Sequence, residues 1–80
     1  MLNKQQDDRF MLAFGRAYDG LLEGVKDHAK LKRDLWMDDW DIMNVTCEIG
    51  YEFDVILNPL YDARTIADLK KLTYNAIKEQ

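Results

Sequence analysis

The sequence predicts an all-α domain, and three observations carry that expectation. Apolar residues recur at helical spacing in three separate segments. No segment alternates apolar and polar residues as a half-buried strand would. Two of the segments also open on helix-capping side chains, Asp38 or Asp39 in one and Thr65 in the other.

The first helix is expected from about Asp7 to Lys26. Phe10, Phe14, Ala17, Leu21 and Val25 form its apolar stripe, widened by Met11, Tyr18 and Leu22. Gly15, Gly20 and Gly24 each weaken it by roughly 1 kcal/mol relative to Ala, so it bends or ends near Gly20 to Gly24 unless packing offsets that cost. Residues 28–37 read as a connecting loop whose Leu31 and Leu35 tuck into the bundle.

The second helix starts at Asp38 or Asp39, with Asp41 adding negative charge where the helix dipole favours it. It carries two apolar stripes. Ile42, Val45, Ile49 and Phe53 must face the core, whereas Trp40, Met43, Cys47 and Tyr51 fall more than a quarter-turn away. That second stripe either packs under the loop or the first helix, or forms a partner surface edged by Asp41, Glu48 and Glu52.

A short third helix or turn is expected around Leu60 to Ala63, after Pro59. The fourth helix opens on Thr65-Ile66-Ala67-Asp68, a capping box with Thr65 as N-cap. Ile66, Leu69, Thr73, Ala76 and Ile77 line one of its faces. Four short helices with brief connections pack most naturally as an antiparallel four-helix bundle with a short third helix, a single domain over residues 1–80.

Composition agrees with a small globular domain. The chain has 80 residues, 48% apolar and 32% charged, and a chain of that length buries about 60–65% of its unfolded surface. No apolar run approaches the ~18 residues of a membrane span. The acidic, polar start MLNKQQDDRF is unlike a signal peptide, and the single Cys47 forms no internal disulfide, so a cytoplasmic protein is expected. The net charge of −4 is unevenly placed. Eight acids and no Lys or Arg lie between Asp34 and Ala63, while the other fifty residues hold seven acids and eleven bases. That balance disfavours nucleic acid and suits either a solvated face or docking on basic protein surfaces.

No catalytic constellation emerges. His28 stands alone in a charged loop, so no metal site is expected, and Cys47 has no histidine partner and reads as a buried or half-buried structural thiol. Asp38 and Asp39 have nothing to desolvate them as acid and base. A non-enzymatic role follows.

Residues 31–41, LKRDLWMDDWD, resemble the acyl carrier protein signature, roughly F-x-x-D-L-G-x-D-S-L-D. Leu31 takes the leading apolar position, Asp34 and Leu35 the D-L pair, Asp38 and Asp41 the flanking acids, and Trp40 the leucine place. Phe53 stands fourteen residues beyond the serine position, where carrier proteins place a core aromatic. LYDARTIADLKKL is similar to the L-F-x-x-P-T-I-x-x-L-x-x-L ending of peptidyl carrier domains. The resemblance spans about residues 20–78 and implies an acyl-carrier-protein-like four-helix fold.

The departures bear on function. Trp36 replaces the glycine, the loop between the first two helices is about five residues short, and the stretch from Phe53 to Thr65 is about two short. Above all, Asp39 occupies the serine position. In the family that serine is joined to phosphopantetheine, the cofactor whose arm holds thioesters. A carboxylate would give a labile mixed anhydride and would repel the incoming phosphate. The chain contains no serine at all, so as written it is expected to carry no cofactor; only if the native residue at position 39 is serine would it carry phosphopantetheine and shuttle thioesters.

Asp39 then admits three origins: a carrier-fold chain that lost its arm and kept a docking surface, a Ser→Asp exchange that blocks modification, or a plain helix-start acid in an unrelated helical domain. Under the carrier reading the chain serves a fatty-acid, polyketide or nonribosomal-peptide type of system as an unmodified docking or regulatory partner. The resemblance implies that Asp38, Asp41, Glu48 and Glu52 steer a basic partner surface while Trp40 and Met43 anchor it, with Cys47 in the same strip. A monomer is expected over a dimer. The alternative is a small acidic helical interaction module unrelated to thioester chemistry.

Overall fold

The computed structural model describes residues 1–20, 22–58 and 63–79. Among them three helices follow in order, α1 (Lys4–Ala17), α2 (Asp39–Phe53) and α3 (Ile66–Lys78). The described residues hold no strand beyond an isolated antiparallel bridge between Lys30 and Thr65, so the all-α class holds. Of the short helix expected over 60–63, residues 60–62 lie outside the described ones and Ala63 is not helical. The later expected helix is α3.

The bounds of α1 correct the sequence reading at both ends. Its start is set by Asn3, whose side chain accepts from the Gln6 N–H at 2.8 Å. The Gln6 side chain in turn accepts from the Asn3 N–H at 3.0 Å, a complete capping box. At the other end the chain leaves the helix at Tyr18, in extended backbone. That departure lets the Tyr18 ring meet Phe14 edge-on, with centroids 5.6 Å apart, while its hydroxyl donates to the Leu35 carbonyl. A Cβ on Gly20 would collide with the same ring. Ala17, Leu22 and Val25 of the expected stripe still pack against the core, though only Ala17 is helical; Leu21 lies outside the described residues.

The long connection from α1 to α2 is sewn to the start of α3. Leu31 donates its N–H to the Arg64 carbonyl at 2.8 Å, while Ile66 and Ala67 donate theirs to the Ala29 and Asp27 carbonyls at 3.2 and 2.8 Å. With the Thr65 hydroxyl accepting from Asp68 N–H at 3.1 Å, the first amides of α3 are satisfied, as a helix N-terminus in contact with other chain requires. The connection also places Leu31, Leu35 and Met37 in the core. The core therefore has four contributors: Phe10 and Phe14 of α1, this connection, Ile42 to Phe53 of α2, and Ile66 and Leu69 of α3.

Candidate functional site

The surface around the start of α2 is built by its cap. Asp38 is the N-cap, and its carboxylate accepts from the Asp41 N–H at 2.8 Å. The Asp41 carboxylate reaches back to the Asp38 N–H at 3.0 Å. Both carboxylates thus hold the helix start, although each side chain is still exposed to solvent. Asp39 is the first helical residue. Its exposed carboxylate sits 2.6 Å from the Lys32 ammonium, a surface pair worth at most about 1 kcal/mol.

The approach to this cap is a tight turn. Asp34 accepts from the Lys30 N–H at 2.8 Å through its side chain and donates its own N–H to the Lys30 carbonyl at 2.9 Å. Trp36 then adopts a left-handed backbone, φ 59°. For a residue with a Cβ that region carries about 1–2 kcal/mol of strain, and glycine enters it freely.

The second stripe of α2 points to solvent. Trp40 is 71% exposed, Met43 43% and Tyr51 83%, and Cys47 is exposed as well. Packing beneath the loop or α1 is therefore ruled out for these side chains, and Cys47 is not the buried or half-buried thiol expected. Trp36, 88% exposed, adds a further indole ahead of the helix.

Glu48 and Glu52 lie on a different flank, the one facing α1. Arg16 bonds Glu48 at 3.2 Å and Glu52 at 2.9 Å. Arg9 bonds the Glu52 carboxylate at 3.0 Å and donates to the Glu52 carbonyl at 2.7 Å, with its guanidinium 4.7 Å from the Phe53 ring centroid. Hydrogen bonds from Arg16, then from Arg9, hold the Glu52 carboxyl below its ordinary range. Bonds to Glu52 and then Glu48 raise Arg16 in turn. The structure thus brings Asp38, Asp39, Trp40, Asp41, Met43 and Cys47 to the outward end and face of α2, and commits Glu48 and Glu52 to holding α1. The signal for this was present: Arg9 and Arg16 are two turns apart on α1 and Glu48 and Glu52 one turn apart on α2, so each pair shares a helix face.

The threonine hydroxyls are all engaged. Thr46 is buried and donates to the Ile42 carbonyl at 2.7 Å, Thr73 donates to the Leu69 carbonyl at 2.8 Å, and Thr65 caps α3. Among the described residues no group of three His, Cys, Asp or Glu could hold a metal ion. No described helix is long and apolar enough to cross a membrane. An open groove of about 660 Å³ runs between the second half of α2, Val55 to Leu57 and the end of α3, which periodicity alone did not disclose.

No protein-family model, curated protein or solved structure matches the chain.

Proposed function

We propose that the chain is a carrier-class domain without its prosthetic arm, working as an unmodified docking or regulatory partner in a fatty-acid, polyketide or nonribosomal-peptide type of system. The observation that carries this reading is the position of Asp39. It is the first residue of α2, exposed, directly after the N-cap, and it stands where the resemblance puts the prosthetic-group serine, open to a transferase. The left-handed backbone of Trp36 adds support, because the signature has glycine at that position and a glycine is what such a backbone favours. The exposed strip from Trp40 to Tyr51 supplies apolar contact, and Asp38, Asp39 and Asp41 supply negative charge for a basic partner surface.

The same strip also serves the second reading, a small acidic interaction module with no thioester history. Intact mass after incubation with coenzyme A and a broad-specificity phosphopantetheinyl transferase separates the two. The chain as given should gain nothing, and Asp39→Ser should gain one phosphopantetheine. If neither gains mass, the carrier reading falls and the interaction module stands. An adduct on the unaltered chain would overturn the assignment of Asp39 as the blocked position.

A further inference from the structure

Trp36 runs against two ordinary preferences at once. Its backbone is left-handed, a conformation glycine holds without strain. Its indole is also almost wholly in water, where a polar side chain would stand at no cost. No hydrogen bond or ring contact among the described residues uses that indole. Backbone strain at a residue whose side chain stands exposed is a feature found at functional positions, and here it singles out Trp36.

Its neighbours say what the use is. Trp36 stands four residues before Trp40, so their Cα atoms are at most about 14 Å apart. From Trp40 to Tyr51 the outward strip of α2 runs a further ~16 Å at 1.5 Å per residue. Asp38, Asp39 and Asp41 lie between Trp36 and Tyr51 in the chain, and Lys32 pairs with Asp39. Trp36 thus stands just ahead of an exposed apolar strip whose N-terminal end is acidic.

We propose that Trp36 and the Trp40 to Tyr51 strip form one docking surface for a cationic amphipathic helix of a partner protein, with the Trp36 indole anchoring one end. This deepens the docking role proposed above by naming the partner, and it needs no thioester history. A helix of about 18 residues is ~27 Å long, enough to cover the ~16 Å of the α2 strip and extend past its N-terminal end toward Trp36. Its apolar ridge would lie along Trp40, Met43 and Tyr51. Its lysines and arginines would meet the three aspartates and the faces of the two indoles. A phosphate backbone or an anionic membrane would meet the same aspartates with repulsion.

The test uses the full chain and two synthetic 18-residue peptides. One carries Leu at i, i+3, i+4 and i+7 spacing with Lys elsewhere; the control has the same lysines and Gln in place of every Leu. Titration followed by tryptophan fluorescence and calorimetry should show the Leu peptide binding at least tenfold tighter than the control. Trp36→Gly and Trp40→Ala should each weaken it at least tenfold. Leu12→Ala, an exposed apolar residue on α1, should change it less than twofold. Urea unfolding of Trp36→Gly checks that lost binding is not lost fold. Unchanged affinity in Trp36→Gly, equal binding of the control peptide, or no binding of either peptide would overturn the proposal. The mass measurement on Asp39→Ser reads the carrier assignment separately, so the failure of one is distinguishable from the failure of the other.

Discussion

The Lys70 ammonium lies 2.7 Å from an Asp7 carboxylate oxygen, tying α3 to α1, and 2.9 Å from Asp27 of the long connection. The lysine side chain is 7% exposed, whereas those of Asp7 and Asp27 are 40% and 62% exposed. Its ammonium also sits 5.7 Å from the Phe10 ring centroid. One cation thus joins three parts of the chain at the edge of the core. Lys70→Ala should destabilise the protein by about 1–3 kcal/mol, less than a fully buried broken pair, because water still reaches both carboxylates. Lys70→Met keeps the aliphatic stem over Phe10 and should cost less. Urea midpoints at neutral pH decide it; equal losses would mean that the charge alone matters.

Burial by itself would lower the Lys70 pKa, but the hydrogen bonds its ammonium donates to Asp7 and Asp27 outweigh it and the net shift is upward. A lysine raised in the folded state contributes stability that is complete below the unfolded value of about 10.4, and that is lost as pH rises through the folded value. The urea midpoint should therefore fall above about pH 10.5, and the fall should be absent in Lys70→Met.

Two helical glycines should respond oppositely to alanine. A Cβ on Gly50 would come 2.7 Å from the Val55 carbonyl oxygen, and that carbonyl belongs to backbone turned in close after the left-handed Asp54. Overpacking of this kind costs about 1–3 kcal/mol, more than the ~1 kcal/mol of helix propensity gained. Gly50→Ala should therefore destabilise. At Gly15 the nearest atom would be Leu22 Cδ1 at 3.5 Å, an ordinary contact. Gly15→Ala should stabilise by up to about 1 kcal/mol, and thermal unfolding of the pair gives both signs.

Trp36→Gly should also stabilise. Relief of a left-handed Cβ is worth about 1–2 kcal/mol, offset by about 0.5–1 kcal/mol of extra freedom in the unfolded glycine. The indole is nearly all exposed, so little burial is lost. A net gain of roughly 0.5–1 kcal/mol is expected by urea denaturation. A loss would show that the side chain, against its exposure, supports the fold.

Local chemistry was legible in the sequence and relative orientation was not. The Asp38–Asp39 pair and Thr65 announced the starts of α2 and α3, with the choice of Asp38 as cap left to the structure, because a cap is a contact between residues three apart. Asn3 and Gln6 offered the same signal for α1, and the apolar periodicity beginning at Phe10 drew the expected start inward past them. The end of α1 was hidden because Tyr18 leaves the helix for a carbonyl seventeen residues on, a tertiary reward that propensity does not contain. The two stripes of α2 were separable by angle. Which flank α1 would cover depended on Arg9 and Arg16 finding Glu48 and Glu52, and so the outward strip became visible only in three dimensions.

Acid should undo the structure through two carboxyls in particular. Glu52 is held low by Arg16 and then Arg9. Asp68 is held low chiefly by the Arg64 backbone N–H, against an opposing effect of burial, and further by the Thr65 N–H and hydroxyl. In the unfolded chain such groups titrate near 4.3 and 3.9. Because the folded values lie lower, their stabilisation is present above those pH values and is lost as pH falls through the folded ones. The urea midpoint should therefore decline below about pH 4.5. Glu52→Gln and Asp68→Asn should each lower the midpoint at pH 7 and flatten the decline. If both variants keep the full slope, the acid sensitivity resides in other carboxylates, and the Arg9 and Arg16 contacts to Glu52 do not steady the packing of α1 on α2.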